Sequence, residues 1–291
     1  MRAILLVAVV LGLTAPGIAA APAPEWIEFR SATTPPTPFQ LKRARAQGIE
    51  LKQEPGTPLR GILVRPEGEG PFPAVVLLHG CDGIQPFQRR WGDDLAAWGY
   101  VALLADSRDP RGDQATCATW SSEADEQPFD AHGALAYLRG LPFIDPTRIG
   151  AMGWDTGGHA VLQVVDEKGV QQHFGQRFAA GVALYPTFTH IRRASAPLLI
   201  LLGADDDCVP ATQVERGLRD VEPGPFPIRL ELLPGVSSGF DDPRYAAPVR
   251  LAKAPFCLSW PAVAEATLAY SRAAHEVAAE RVRAFLAQHL K

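Results

Sequence analysis

Four short segments carry side chains able to do chemistry, and each follows an apolar run. They are His79-Gly80-Cys81, Gly153-Trp154-Asp155-Thr156-Gly157-Gly158, Gly203-Ala204-Asp205-Asp206-Asp207-Cys208-Val209-Pro210 and Pro234-Gly235-Val236-Ser237-Ser238-Gly239-Phe240-Asp241. In the second, a carboxylate stands among glycines where a strand turns sharply into a helix. The unpaired N–H groups of a helix start favour negative charge there. If Asp155, Asp205, Asp206, Asp207 and Asp241 gathered at one site, their oxygens would suit Ca2+ or Mg2+. Without a cation, close carboxylates raise one another's pKa. The plainer reading keeps Asp206 as a structural acceptor with its neighbours solvated, so no metal and no cofactor are expected.

Histidine is the usual proton carrier near neutral pH. His79 reads as a structural loop residue. His159 follows Asp155 by one helical turn, on the same face and beside it rather than opposite. His132, His173, His190 and His289 read as helix-surface or loop residues, and His275 falls in the closing helix. Trp120 and Trp260 sit in long loops and are candidate pocket walls.

These segments need a scaffold, and the apolar runs supply one. Strands are predicted at 59–64, 74–78, 100–105, 148–152, 179–184, 197–202 and 228–232. Helices are predicted at 87–98, 130–138, 156–165 and 210–219, with a long closing helix or helix pair over 261–289. Near-continuous Val, Ile and Leu strands alternating with helices mean a mostly parallel sheet covered on both faces. A further strand at 49–53 should pair antiparallel with 59–64 at one edge, after a Pro- and Thr-rich arm over 22–40. In such open α/β sheets, ligands bind beyond the strands' carboxyl ends, where all four segments fall.

The 291 residues are 47% hydrophobic and 21% charged, enough to bury a large core and to exclude a disordered protein. With 28 basic and 32 acidic residues the net charge is −4, which excludes nucleic-acid binding by charge. Arg2, the apolar run 3–13 and the small residues 17–21 read as a signal peptide over 1–20. The apolar run is too short to span a bilayer. A periplasmic or secreted protein is expected, with no membrane association after cleavage. Its four cysteines then favour disulfides, since no C-x-x-C spacing argues for zinc.

The four segments, with Gly99-Tyr100-Val101-Ala102-Leu103-Leu104-Ala105-Asp106-Ser107 and Asp145-Pro146-Thr147-Arg148-Ile149-Gly150, resemble the dienelactone hydrolase family of the α/β-hydrolase fold. The likeness covers roughly 58–290. It implies a mostly parallel sheet of about eight strands with helices on both faces. The expected organisation is an N-terminal arm and edge strand over 21–57, then the hydrolase domain over 58–291. The family hydrolyses small carboxylic esters or lactones, so a small ester- or lactone-like ligand is implied. Its chemistry needs a Ser or Cys on the strand-to-helix turn, a His as base, an acid to orient the His, and two N–H groups as an oxyanion hole. Carried onto this sequence, Thr156 and Cys81 or a neighbour supply the N–H groups, and Asp206 holds the acid position.

The two bond-making positions differ. Asp155 stands at the nucleophile position, and Ser238 holds the histidine position of Pro-Gly-x-x-His-x-Phe-Asp. Epoxide hydrolases and haloalkane dehalogenases share a similar G-x-D-x-G-G turn and use its Asp as nucleophile, but they also rely on a His. Asp155 could instead fill the oxyanion hole itself. Three readings follow: an ester or lactone hydrolase, a non-catalytic ligand-binding relative, or an Asp-nucleophile hydrolase of epoxides or haloalkanes. The fold also implies disulfides Cys81–Cys117 and Cys208–Cys257, each stabilising by roughly 3 kcal/mol.

Overall fold

The computed structural model describes residues 24–33, 36, 38–50, 55–112, 126–187, 191–252, 257 and 265–291. The segment 1–20 read as a signal peptide, Cys117, Trp120, His190 and Trp260 lie outside them. Eight strands form one sheet in the order β1-β2-β4-β3-β5-β6-β7-β8. They are β1 (Glu25–Arg30), β2 (Pro58–Val64), β3 (Phe72–Leu78), β4 (Val101–Asp106), β5 (Ile144–Trp154), β6 (Gly181–Leu184), β7 (Leu198–Gly203) and β8 (Ile228–Leu233). β2 pairs antiparallel with both β1 and β4, and the remaining pairs are parallel, so one strand runs against the other seven.

The apolar runs feed two cores, because successive side chains of a strand point to opposite faces. Val75 and Leu77 of β3 join one face; Ala74, Val76 and Leu78 join the other. The first face is covered by α2 (Pro86–Ala97), α5 (Ala211–Arg219) and α6 (Arg272–Leu290), the second by α3 (Gln127–Arg139) and α4 (Thr156–Val164). α6 buries Ala274, Ala278, Val282, Phe285 and Leu286, the three-and-four spacing of a helix lying on a core. Its N-cap is Ser271, whose Oγ accepts the Ala274 N–H at 3.3 Å. Each fully buried Leu or Val side chain contributes about 1.5–3 kcal/mol relative to exposure.

Two expectations are corrected. The edge strand is β1, inside the segment read as an arm. Ile27 and Phe29 point inward while Trp26 and Glu28 face solvent. This alternation lies beside a Pro-rich flank that masks it. Residues 49 and 50 are not strand, and 51–53 lie outside the described residues. A helix, α1 (Pro38–Gln47), occupies part of the arm. The closing segment is not helical throughout. Glu265–Leu268 is a strand, β10, paired antiparallel with β9 (Val249–Ala252). Its Glu, Ala and Leu favour helix, but tertiary bonds override that preference. Asp207 accepts both the Thr267 N–H and its hydroxyl, each at 2.8 Å. Among the described residues, no helix is long and apolar enough to cross a membrane.

Candidate active site

Asp155 occupies the junction between β5 and α4 with φ 53° and ψ −117°, a left-handed conformation rare outside glycine. Such strain costs on the order of 1–3 kcal/mol and persists only where surroundings over-determine it. Here the Asp155 N–H donates to Leu184 O at 3.1 Å, while its carbonyl accepts from Thr187 N–H at 3.2 Å and His159 N–H at 3.0 Å. The glycines on either side are obligatory. A Cβ on Gly153 would lie 2.2 Å from Gly157 O, and one on Gly157 would lie 2.2 Å from Leu78 O.

The Asp155 carboxyl turns into the pocket of N–H groups beside it. Cys81 N–H donates to Asp155 Oδ2 at 3.1 Å, and the Thr156 N–H also bonds the carboxyl. These are the two donors assigned to an oxyanion hole, and the protein's own side chain occupies them. Asp155 keeps partial surface exposure, yet desolvation pushes its carboxyl up to about 7. Asp82 and Asp206 add to the rise, against the two N–H bonds.

Asp206 and Ser238 form the second half of the site. Ser238 Oγ–H donates to Asp206 Oδ2 at 2.6 Å, and Asp206 Oδ1 accepts from Cys208 N–H at 2.9 Å and Val209 N–H at 2.8 Å. Both residues are buried, at 4% exposure each. Burial raises the Asp206 carboxyl to about 6. The acidic run is thus divided: Asp205 is exposed, Asp206 holds Ser238 and Asp207 holds Thr267. Among the described residues no group of three or more His, Cys, Asp or Glu side chains is arranged to hold a metal ion.

Asp241 does not join the crowd. It lies fully buried, accepting from Tyr185 Oη at 2.6 Å, Trp154 Nε1 at 2.7 Å and Trp91 Nε1 at 2.9 Å. Trp154 immediately precedes Asp155, and Asp241 lies three residues beyond Ser238. One carboxylate therefore ties the elbow to the Ser238 loop. Sequence reasoning missed this role, because its donors lie 150, 87 and 56 positions away.

His79 and His159 are held by hydrogen bonds, whereas the buried His132 Nε2 and His275 Nδ1 have no hydrogen-bond partner among the described residues. His79 Nε2 accepts the Ser107 N–H at 3.2 Å, which fixes the proton on Nδ1, and Nδ1–H donates to Gly80 O at 2.7 Å. Burial lowers its pKa, so it is neutral. His159 likewise bonds Thr187 O at 2.9 Å and Gln163 Nε2 at 2.5 Å. His275 packs on the Trp91 ring at 5.4 Å, on the Asp241 side of the elbow. His132 is not on the surface as expected: it is buried, stacked on Phe174 at 4.1 Å, and burial lowers its pKa to about 4.

Cys208 and Cys257 form a disulfide with a Cα–Cα distance of 4.6 Å, the expected pairing. Cys81 is disulfide-bonded too, while Cys117 lies outside the described residues. At the rim, Arg244 pairs with Asp82 at 2.8 Å, joining the Cys81 loop to the loop after Asp241.

Residues 59–290 match the model of the dienelactone hydrolase family. A dienelactone hydrolase-like promiscuous phosphotriesterase from metagenomic libraries has a similar fold, with TM-score 0.59 and 19% identity over 91% of this chain and 99% of its own. Esterase 2 of Thermogutta terrifontis aligns with TM-score 0.55 and 18% identity, covering 79% of this chain and 89% of that one. Among curated proteins, Esterase FrsA of Klebsiella pneumoniae subsp. pneumoniae is 29% identical over 116 residues. That stretch is 40% of this chain and 27% of the esterase, so the match spans about a quarter of the relative's length.

Proposed function

Because the chain belongs to the dienelactone hydrolase family, we propose that it binds a small ester- or lactone-like ligand in the family's cleft, without the family's elbow turnover. Family membership supports an ester-hydrolase type of site. One observation carries the departure: Asp155 Oδ2 accepts the Cys81 N–H at 3.1 Å, so the oxyanion hole holds a side chain where a reacting carbonyl would sit. Ser238 supplies no imidazole, and its single hydroxyl proton is committed to Asp206. The leader-like residues 1–20 and the Cys208–Cys257 disulfide support an exported, periplasmic or secreted protein.

Hydrolysis of p-nitrophenyl acetate by the oxidised protein, with Asp155→Ala as its pair, tests the reading. No steady-state turnover in either, together with calorimetric binding of the inert amide p-nitroacetanilide, is the expected result. Sustained turnover that disappears with Asp155→Ala overturns it. The strained elbow pose of Asp155 favours a second reading, alkyl transfer to its carboxylate. A short epoxide separates the two: a persistent ester on Asp155 supports transfer, and an unmodified Asp155 leaves binding alone.

A further inference from the structure

Ser238 and Asp206 have the geometry of a nucleophile with its base. A hydroxyl becomes a useful nucleophile when a base within about 2.6–3.2 Å takes its proton and a third group fixes that base. Ser238 Oγ–H points at Asp206 Oδ2 at 2.6 Å. The other oxygen of Asp206 is fixed by the N–H groups of Cys208 and Val209, so the base cannot swing away. Ser238 is itself anchored, because its carbonyl accepts the Ala269 N–H at 3.1 Å and its loop ends at the caged Asp241. The pair and the elbow stand at the same end of the sheet, Asp206 just after β7 and Asp155 just after β5. Asp241, three residues past Ser238, accepts the Nε1–H of Trp154 beside Asp155 at 2.7 Å.

We propose that Ser238, with Asp206 as general base, is an acyl-accepting nucleophile displaced from the elbow, and that it captures the acyl group of an activated ester. The proposal rests on the ligand-binding reading only in needing the ester to enter the cleft. With p-nitrophenyl acetate, Ser238 Oγ forms a bond to the acetyl carbon while its proton passes to Asp206 Oδ2. The bond from that carbon to the phenolate oxygen breaks, and p-nitrophenolate leaves with the electron pair. Asp206 then gives the proton to solvent, so the net products are acetyl-Ser238, p-nitrophenolate and a proton. The acyl group persists because acetyl-Ser238 is an unactivated alkyl ester, whose leaving group, a serine alkoxide, is far poorer than p-nitrophenolate. With Asp155 on the Cys81 N–H, no free donor pair there compensates for that in the hydrolysis step.

Burial brings the Asp206 proton affinity to about 6, so the base is ionised in neutral buffer and stronger than an ordinary carboxylate. Acylation therefore sets in as pH rises through that value.

The test mixes oxidised protein with p-nitrophenyl acetate at pH 7.5, follows p-nitrophenolate release, and locates acetyl groups by peptide mass spectrometry. A burst of one phenolate per protein, with acetyl on Ser238, is the expected result. Ser238→Ala abolishes that burst, and Asp206→Asn slows it about 100-fold, a typical general-base contribution. Ser238→Cys keeps the position reactive and acquires a thioester faster, which guards against misfolding of the alanine variant. Binding of p-nitroacetanilide, with no acetyl group on Ser238 in wild type or on the thiol of the Ser238→Cys variant, overturns this proposal alone. Absence of binding as well overturns the ligand-binding reading with it. Acetyl found only on lysines, unchanged by Ser238→Ala, also overturns it.

Discussion

The Cys81 N–H donates to Asp155 Oδ2 at 3.1 Å, so the elbow carboxyl occupies a backbone donor that the family resemblance assigns to an oxyanion hole. The contact is made by residues 74 apart in sequence, joined because β3 and β5 are adjacent and parallel. An N–H pair that accepts a side-chain carboxyl should accept a free one once that side chain is removed. Asp155→Gly removes it and suits φ 53°, where glycine carries no Cβ penalty. The variant should bind acetate and melt higher as acetate is added, by the mass-action rule for a ligand of the native state. Wild type should show no such shift. Equal shifts in both proteins, measured against chloride of matched ionic strength, would mean the hole is not a carboxylate site.

Proton affinity at the elbow sets a second expectation. Asp155 rises from 3.8 to about 7 on folding. A raised folded-state pKa gives stability that is full below the unfolded value and lost as pH rises through the folded one. Asp206, raised to about 6, acts in the same direction, whereas His132, lowered to about 4, loses stability as pH falls. The wild-type curve therefore mixes signs, and the difference from Asp155→Asn isolates one group. The variant should gain on wild type from pH 4 to pH 8, by at most roughly 4 kcal/mol at 1.36 per pKa unit. Urea midpoints across that range decide it; parallel curves would place the titration elsewhere.

Legibility in the sequence followed the range of the interaction. β3, β4, β6 and β7 were readable as local runs of apolar residues, β5 by its apolar second half and β8 by its alternation, and the four chemical segments were placed by falling just after strands of this set. β1 was not, since two inward residues, Ile27 and Phe29, make a weak signal beside prolines. β10 was read as helix because Asp207, 60 residues away, decides the conformation of Thr267. The cage around Asp241 joins residues 150, 87 and 56 positions apart, and no local pattern announces it. Nor could His132 be seen as buried: its Phe174 partner comes from a loop beyond α4.

The Asp241 cage yields a stability prediction. Three donors converge on a fully buried carboxylate, so truncation leaves Trp91 Nε1, Trp154 Nε1 and Tyr185 Oη without their acceptor. Each unsatisfied buried group costs about 1–3 kcal/mol. Asp241→Ala should lose about 3–5 kcal/mol in urea unfolding, with altered near-ultraviolet circular dichroism from the two indoles. Asp241→Asn keeps one acceptor oxygen and should lose less. A loss under about 1 kcal/mol for the alanine variant, below the cost of even one orphaned donor, would show that the loops hold their places without the cage.

If the departure from the family lies in two side chains rather than in the scaffold, restoring those two should restore the chemistry. The elbow glycines, the Cys81 and Thr156 donors and the fixed Asp206 all remain in place. Asp155→Ser removes the carboxyl from the hole and supplies a hydroxyl there. Ser238→His supplies an imidazole beside Asp206, whose Oδ2 already accepts from position 238. Residues that act as a unit are strongly non-additive, because neither nucleophile nor base works alone. The double variant should therefore show sustained p-nitrophenyl acetate turnover at least about 100-fold above either single variant, the size of a general-base contribution. Folding of all three is checked by circular dichroism, since an imidazole is larger than the hydroxymethyl it replaces and overpacking costs about 1–3 kcal/mol. A folded double variant no faster than the singles would mean that the cleft itself, and not only these two positions, has left ester hydrolysis behind.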